Sequence, residues 1–339
     1  MQLDNRYRLI GANGSPYSVK MRALMRYRRL PFDWVIRTAS IREEIAHIRP
    51  ALVPVLNYPD GSYRNDSTAL VHDLEQRHPG ERSVMPPDPA LAFLANLIED
   101  MADEWLTKAM FHYRWHYAPD QDFAARWISN DSFSDLEFPA RREMAATFKA
   151  RQISRMALVG CTPENKPVIE QSYHAVLNAL DARVDGQRYL FGSRPSIAEF
   201  GLFGQLRVLA DDPTPMSVMR DTAGDLVDWV RFMDDASGVD GEWQSPDAPL
   251  TPAVQDLLKL CANAYLPFLA ANASALQAEN EAFEVEIFGQ PYRQAPFGYQ
   301  LKCWNGLLDG FAKLEGPTRA RAEAALAESG CLTYLTSSF

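Results

Sequence analysis

Cysteine is scarce in this chain of 339 residues: four thiols, at Cys161, Cys261, Cys303 and Cys331, lie far apart and form no C-x-x-C pair. No disulfide framework can be read from them, and a reducing, cytoplasmic setting fits best. The first six residues, Met1-Gln2-Leu3-Asp4-Asn5-Arg6, hold no apolar segment of the kind a secretory signal needs. A long hydrophobic run is missing as well. The most apolar stretch, residues 257–276, is broken by Lys259, Asn263, Pro267 and Asn272, which argues against a membrane span. Positive charge is in deficit, the formal net charge being −10, and this disfavours nucleic acid as the main partner. Strand periodicity almost vanishes beyond residue 90, and there is no internal repeat or low-complexity tract.

What remains is the composition of a globular protein, 47% hydrophobic and 23% charged, long enough for two domains each with its own core. The charge is unevenly spread. Residues 1–80 carry 12 Lys and Arg against 8 Asp and Glu, or +4, which leaves −14 for the remainder. A basic amino-terminal unit is joined to an acidic carboxy-terminal one, and the basic unit attracts small anions.

The chain is organised around Asn13-Gly14-Ser15-Pro16-Tyr17-Ser18-Val19-Lys20, where a first strand (residues 7–12) gives way to a first helix. Serine followed by proline reads as N-cap and N1: the serine oxygen accepts an orphan amide and proline has no N–H to waste there. Tyr17, Met21, Leu24 and Met25 share a packing face, while Arg22, Arg26 and Arg29 share a charged one. A helix N-terminus presents free N–H groups and about half a positive charge, so the cap suits an anion such as a thiolate. Taken alone, Ser15 reads as a cap and nothing more.

Further along, residues 32–37 have strand character and residues 41–48 helical spacing. Residues 52–58 and 62–64 flank a Pro59-Asp60-Gly61 turn and form a hairpin, followed by a helix from Ser67 that Pro79-Gly80 ends. The order βαβα then ββα gives a small mixed sheet with helices on its faces. Residues 81–89, with Pro86, Pro87 and Pro89, read as a linker. Helices are expected at 90–117, 138–158, 167–184, 196–209, 223–233, 252–283, 296–314 and 317–329. Ser196-Ile197-Ala198-Glu199 is a capping box. Residues 284–289 alternate like a short strand, although an extended loop suits their helical setting equally well. His112 and His116 stand at i and i+4, but no carboxylate or cysteine completes a metal set at diagnostic spacing, so no metal is expected.

The basic βαβα-ββα unit, the serine at its first turn, the Val53-Pro54 step before a strand, the proline-rich linker and a helical unit with a Ser-x-x-acid cap together resemble the glutathione transferase family. The likeness is to a serine-type, bacterial-like member with a carboxy-terminal extension. It implies a thioredoxin-like, glutathione-binding α/β domain at 1–80, a linker at 81–89, an all-α domain at 90–238, and a mostly helical extension at 239–339 packed on the all-α domain. The extension has no counterpart in shorter members.

Position by position, the resemblance assigns Ser15 to the residue that faces the glutathione sulfur. Val53-Pro54 matches the cis-proline step that pairs with the cysteinyl backbone, and Asp66-Ser67 the acid-serine pair that holds the γ-glutamyl end. Read without the family, Pro54 is an ordinary trans proline and Asp66 a plain N-cap. Ser15-Pro16-Tyr17-Ser18 also sits where thioredoxin-fold redox proteins have Cys-Pro-x-Cys. With both thiols absent, disulfide exchange at this turn is excluded. Many members carry a lysine shortly before the Val-Pro step, but here Pro50-Ala51-Leu52 stands there, so the glycyl carboxylate needs Arg49, Arg37 or Arg42. Tyr17, Trp105, Phe111, Tyr113 and Trp115 are the candidates for a hydrophobic substrate pocket, each of them alone being an ordinary core residue.

The activity implied is transfer of glutathione, as a thiolate stabilised by Ser15, to a small hydrophobic electrophile. Glutathione is thus the co-substrate and the assembly a homodimer, with no nucleic-acid or membrane partner. A non-catalytic binding or scaffold protein and a glutathione-dependent isomerase or dehalogenase are the alternatives.

Overall fold

The computed structural model describes residues 6–80, 82–181 and 188–336. Its amino-terminal elements are β1 (Tyr7–Gly11), α1 (Pro16–Tyr27), β2 (Phe32–Ile36), α2 (Ala39–Glu44), β3 (Val55–Asn57), β4 (Tyr63–Asn65) and α3 (Ser67–Arg77). The strands form one sheet in the order β2-β1-β3-β4. β1 and β2 run parallel across the α1 crossover, whereas β3 pairs antiparallel with both β1 and β4. The turn after β3 is the expected one. Gly61 takes φ +84°, its amide donates to Tyr58 O, and the Asp60 carboxylate accepts from the Ser62 amide at 2.8 Å.

A long rod follows, made of α4 (Pro89–Met101), a π-helical turn (Ala102–Leu106) and α5 (Thr107–His116). After it come α6 (Ala118–Ser132), α7 (Phe138–Ile153), α8 (Lys166–Asp181), α9 (Ile197–Leu209), α10 (Pro213–Thr222) and α11 (Gly224–Asp234). The last hundred residues form α12 (Pro252–Leu260), a second π-helical turn (Cys261–Tyr265), α13 (Leu266–Gln277), a hairpin of β5 (Phe283–Ile287) and β6 (Gln290–Gln294), α14 (Gly298–Ala312), α15 (Gly316–Ser329) and α16 (Leu332–Thr336). The architecture is therefore a small α/β sheet unit followed by a helical one, with a further mostly helical extension.

Helix α9 is the hub. Apolar almost all round, it buries every residue except Arg207, as a helix of that composition must. Its start is the capping box: Ser196 Oγ accepts from the Ala198 amide at 3.2 Å, and the Glu199 carboxylate accepts from the Ser196 amide at 2.9 Å. Gly204 lets α1 close on it, because a Cβ there would stand 2.7 Å from Pro16 O. The extension packs α14 and α15 on α4 and α12 on α8. Phe93 of α4 meets Phe311 of α14 with ring centroids 5.5 Å apart, and one apolar core runs through all of these elements.

Two departures from the sequence reading have physical causes. Residues 252–283 are not one helix. The chain leaves α13 at Gln277, Glu279 takes φ +54°, and Phe283 opens a strand, so the alternation of 284–289 marked a true hairpin paired with 290–294. Helices α6 and α10 fall where none was expected; both have proline in the first turn, which is compatible with helix initiation but easily taken for a breaker. Of the helix expected at 167–184, residues 182–184 lie outside the described residues, as does residue 81 of the linker.

Candidate functional site

The turn between β1 and α1 is fixed by local bonding and by the helical unit. Ser15 is the N-cap of α1, with its amide on Ala12 O and its Oγ accepting from the Ser18 amide at 3.3 Å. Its hydroxyl proton is committed to no acceptor among the described residues, and the side chain is partly exposed. Arg114 of α5, fully buried and paired with Asp212 at 2.6 Å, donates to Gly14 O at 2.8 Å. Asn13 donates to Asp131 of α6 at 2.6 Å and accepts from Arg22 at 2.9 Å. A surface hollow of about 390 Å³ bordered by Asn13, Arg22, Phe123, Trp127 and Asp131 also touches this turn, but none of the residues expected at the site lines it.

Strand register places the other expected residues in a row. Ile10 lies opposite Val55, and Val55 opposite Asn65, so Val53-Pro54 and Asp66 end adjacent strands at the edge where Ser15 follows β1. The Val53–Pro54 bond is cis, as is Arg49–Pro50. Asp66 takes φ +78° and caps α3, its Oδ1 accepting from the Ala69 amide at 3.4 Å. Its other oxygen accepts from Lys302 Nζ at 2.8 Å and from Tyr299 OH at 3.1 Å, both on α14. Burial disfavours the Asp66 anion, yet the Lys302 ammonium and these hydrogen bonds hold its pKa below the ordinary range. Ser67 is buried and turns its hydroxyl inward to Asp103, 3.4 Å away.

The cations sort themselves clearly. Arg49 spends its guanidinium on the carbonyls of Ala46 and Ile48 in its own loop. Arg37, whose amide donates to Gly11 O at 2.8 Å, stands at the end of β2 beside the Ser15 turn, with a buried Nε and no acidic partner among the described residues. Desolvation and the neighbouring Arg42 and Arg151 push its pKa down.

The aromatic pocket expected along the rod is not what faces the sheet unit. Trp105, Tyr113 and Trp115 are all core residues, 2%, 2% and 1% exposed. Trp105 donates to Ser172 Oγ and packs on Phe268 and Tyr292, Tyr113 packs on Tyr173, and Trp115 packs on Phe148. Phe111 is half-buried between the two apolar clusters. Only Tyr17 stays at the junction of the units, its hydroxyl donating to Asp103 O at 3.0 Å. Trp105 lies within the π-helical turn (Ala102–Leu106) and points into the core. The face turned to α1 is instead Glu99, Asp103 and Thr107, one helical step apart, with Arg114 beyond.

The profile of glutathione S-transferase N-terminal domains matches residues 9–82, and that of glutathione S-transferase C-terminal domains matches residues 141–236, together about half of the chain. The chain belongs to the glutathione S-transferase family. No curated protein matches it. Among solved structures it is similar to a glutathione S-transferase from Methylobacterium radiotolerans in complex with glutathione sulfonate, with 21% identity over 72% of this chain and all of that one, at a TM-score of 0.44. It is also similar to a beta-etherase from Sphingobium sp. strain SYK-6, with 18% identity over 75% of this chain and 98% of that one, at a TM-score of 0.49. A third is a glutathione S-transferase from Rhodospirillum rubrum, with 18% identity over 74% and 91% of the two chains, at a TM-score of 0.40.

Within this transferase, Lys20, Asp100 and Glu104 carried no functional signal in the sequence. Lys20 of α1, fully buried, pairs with Glu99 and, at 2.6 Å, with Asp103. Asp100 and Glu104 sit among Tyr17, Tyr265, Tyr299 and Cys303. Burial, then the neighbouring carboxylates, push Asp100 up to about 7 and Glu104 up to about 8. His112 stacks on His116 with centroids 4.7 Å apart, and its Nε2 lies 3.0 Å from a Glu170 oxygen. No group of His, Cys, Asp and Glu able to hold a metal is found among the described residues. No helix among them is long and apolar enough to cross a membrane.

Proposed function

We propose that this chain is a serine-type transferase that binds glutathione along the sheet edge and uses Ser15 to hold its sulfur as a thiolate. The observation that carries this reading is the uncommitted Ser15 hydroxyl at the N-terminus of α1, at the end of a row that continues through Val53 to Asp66. Two strand spacings of about 4.8 Å separate the ends of that row, a distance within reach of the γ-glutamyl-cysteinyl part of the tripeptide, and β2, one spacing beyond Ser15, lies on the glycyl side. The cysteinyl backbone would pair beside Val53-Pro54, the γ-glutamyl end would lie at Asp66 and the first amides of α3, and the glycyl carboxylate would meet Arg37, with Arg42 beside it. Arg49, bonded to its own loop, fits that last role less well.

The energetics suffice. A free thiol with pKa about 8.5 is only ~3% ionised at neutral pH, and lowering it by about two units takes about 2.7 kcal/mol. A hydrogen bond to an anion supplies about 1.5–3 kcal/mol and a helix N-terminus about 0.3–1 kcal/mol. Ser15 donates and does not attack. The sulfur forms a bond to the electrophilic carbon, the leaving group departs with its electron pair, and the thiol proton has already gone to solvent. A small hydrophobic electrophile would approach the sulfur past Tyr17, which stands at the junction of the units. The chain would work as a homodimer in the cytoplasm.

Titration calorimetry with glutathione and turnover of a chloronitroarene test the reading in the intact chain. Binding together with turnover that falls at least tenfold in Ser15→Ala supports it. Absence of both favours a binding or scaffold protein, for which the Lys302 contact on Asp66 is the supporting observation.

A further inference from the structure

We infer that Lys302 of the extension is a ligand-binding residue, forming with Asp66 a pair of opposite charges matched to the zwitterionic end of a γ-glutamyl group. The inference rests on the glutathione reading given above and assigns a purpose to the extension. Both Asp66 oxygens are already engaged, one by the Ala69 amide and the other by Lys302 Nζ at 2.8 Å and Tyr299 OH at 3.1 Å. An incoming ammonium must therefore exchange with Lys302. That exchange is easy on the lysine side, whose side chain is 65% exposed, since ion pairs of this kind hold weakly.

The displaced ammonium does not go unpaired. A γ-glutamyl end carries an ammonium and a carboxylate on the same carbon, so when the first takes Asp66 the second comes within reach of Lys302. The four charges then alternate in sign, and the first amides of α3 face the same carboxylate. Tyr299 keeps its bond to Asp66 and holds that carboxylate in place while the lysine turns. A ligand with the ammonium alone would leave Lys302 facing a cation. One with the carboxylate alone would draw Lys302 away from Asp66. The pair thus selects thiols that keep a complete amino-acid end.

The test uses the full chain and calorimetry with three tripeptides: glutathione, glutaryl-Cys-Gly, which lacks the ammonium, and γ-aminobutyryl-Cys-Gly, which lacks the carboxylate. Lys302→Met should weaken glutathione and the glutaryl analogue by about five- to tenfold, the loss of one partly exposed charge-assisted bond, and should not weaken the γ-aminobutyryl analogue. Lys302→Arg should restore most of the loss. Tighter glutathione binding by Lys302→Met would mean that the lysine only blocks the site. Unchanged binding would mean that it takes no part, and either result overturns the inference while leaving the glutathione reading intact. If the folded wild-type chain bound no glutathione, both would fall together.

Discussion

Replacing Lys20 by methionine should destabilise the chain by about 3–5 kcal/mol, the cost of removing one partner from a buried ion pair. Lys20 is fully buried, its ammonium lies 2.6 Å from Asp103 and against Glu99, and those carboxylates are 7% and 1% exposed. Methionine fills the same volume but leaves two carboxylates facing each other with only Thr68 Oγ1, 2.8 Å from Glu99, and Ser67 Oγ, 3.4 Å from Asp103, to satisfy them. The loss depends on pH, and its sign follows from linkage. Burial already holds the Asp103 pKa above its unfolded value and removing the ammonium raises it further, so its contribution is present in acid and is lost as pH rises towards the folded value. The destabilisation should accordingly be greater at pH 8 than at pH 5, and adding Glu99→Gln should recover part of it. Urea unfolding followed by tryptophan fluorescence at both pH values measures this. A loss below about 1 kcal/mol, or one greater in acid, would refute the reasoning.

Other expectations follow from the same packing. Gly204→Ala should cost about 1–3 kcal/mol in thermal or urea unfolding and lower turnover, because its Cβ would press on Pro16 O and shift the first turn of α1. Wild-type stability should fall as pH rises from about 4 to 8, since Asp100 and Glu104, raised to about 7 and 8, keep in the folded chain protons that the unfolded chain has already lost; Asp100→Asn with Glu104→Gln should flatten that slope. Arg37→Ala should weaken glutathione binding by about tenfold and lose its effect on the glycine-amide analogue, a comparison calorimetry makes directly.

How much of this was legible depends on how far apart the partners are in the chain. Ser15-Pro16, Asp66-Ser67, the Pro59-Asp60-Gly61 turn and the Ser196 capping box are written in neighbouring residues, since a side chain bonding an amide two or three positions on leaves its mark locally. Lys20 with Asp103, Arg114 with Gly14 and Asp66 with Lys302 join residues 83, 100 and 236 positions apart, and no local spacing announces them. Trp105, Tyr113 and Trp115 were misplaced for a related reason. Aromatic residues on a helix mark an apolar face, but what that face meets is set by residues far along the chain, Ser172, Phe268 and Tyr292 for Trp105 and Tyr173 for Tyr113. The hairpin at 283–294 shows the converse, an alternation that was correct although its surroundings are helical.

The most direct measurement is the ionisation of the bound thiol. Ultraviolet absorbance of the thiolate, followed as glutathione-saturated protein is titrated, should give a pKa about two units below the free value of about 8.5, and Ser15→Ala should return at least one of those units. A bound thiol that titrates at its free value, or a lowered value that Ser15→Ala leaves untouched, would contradict the account.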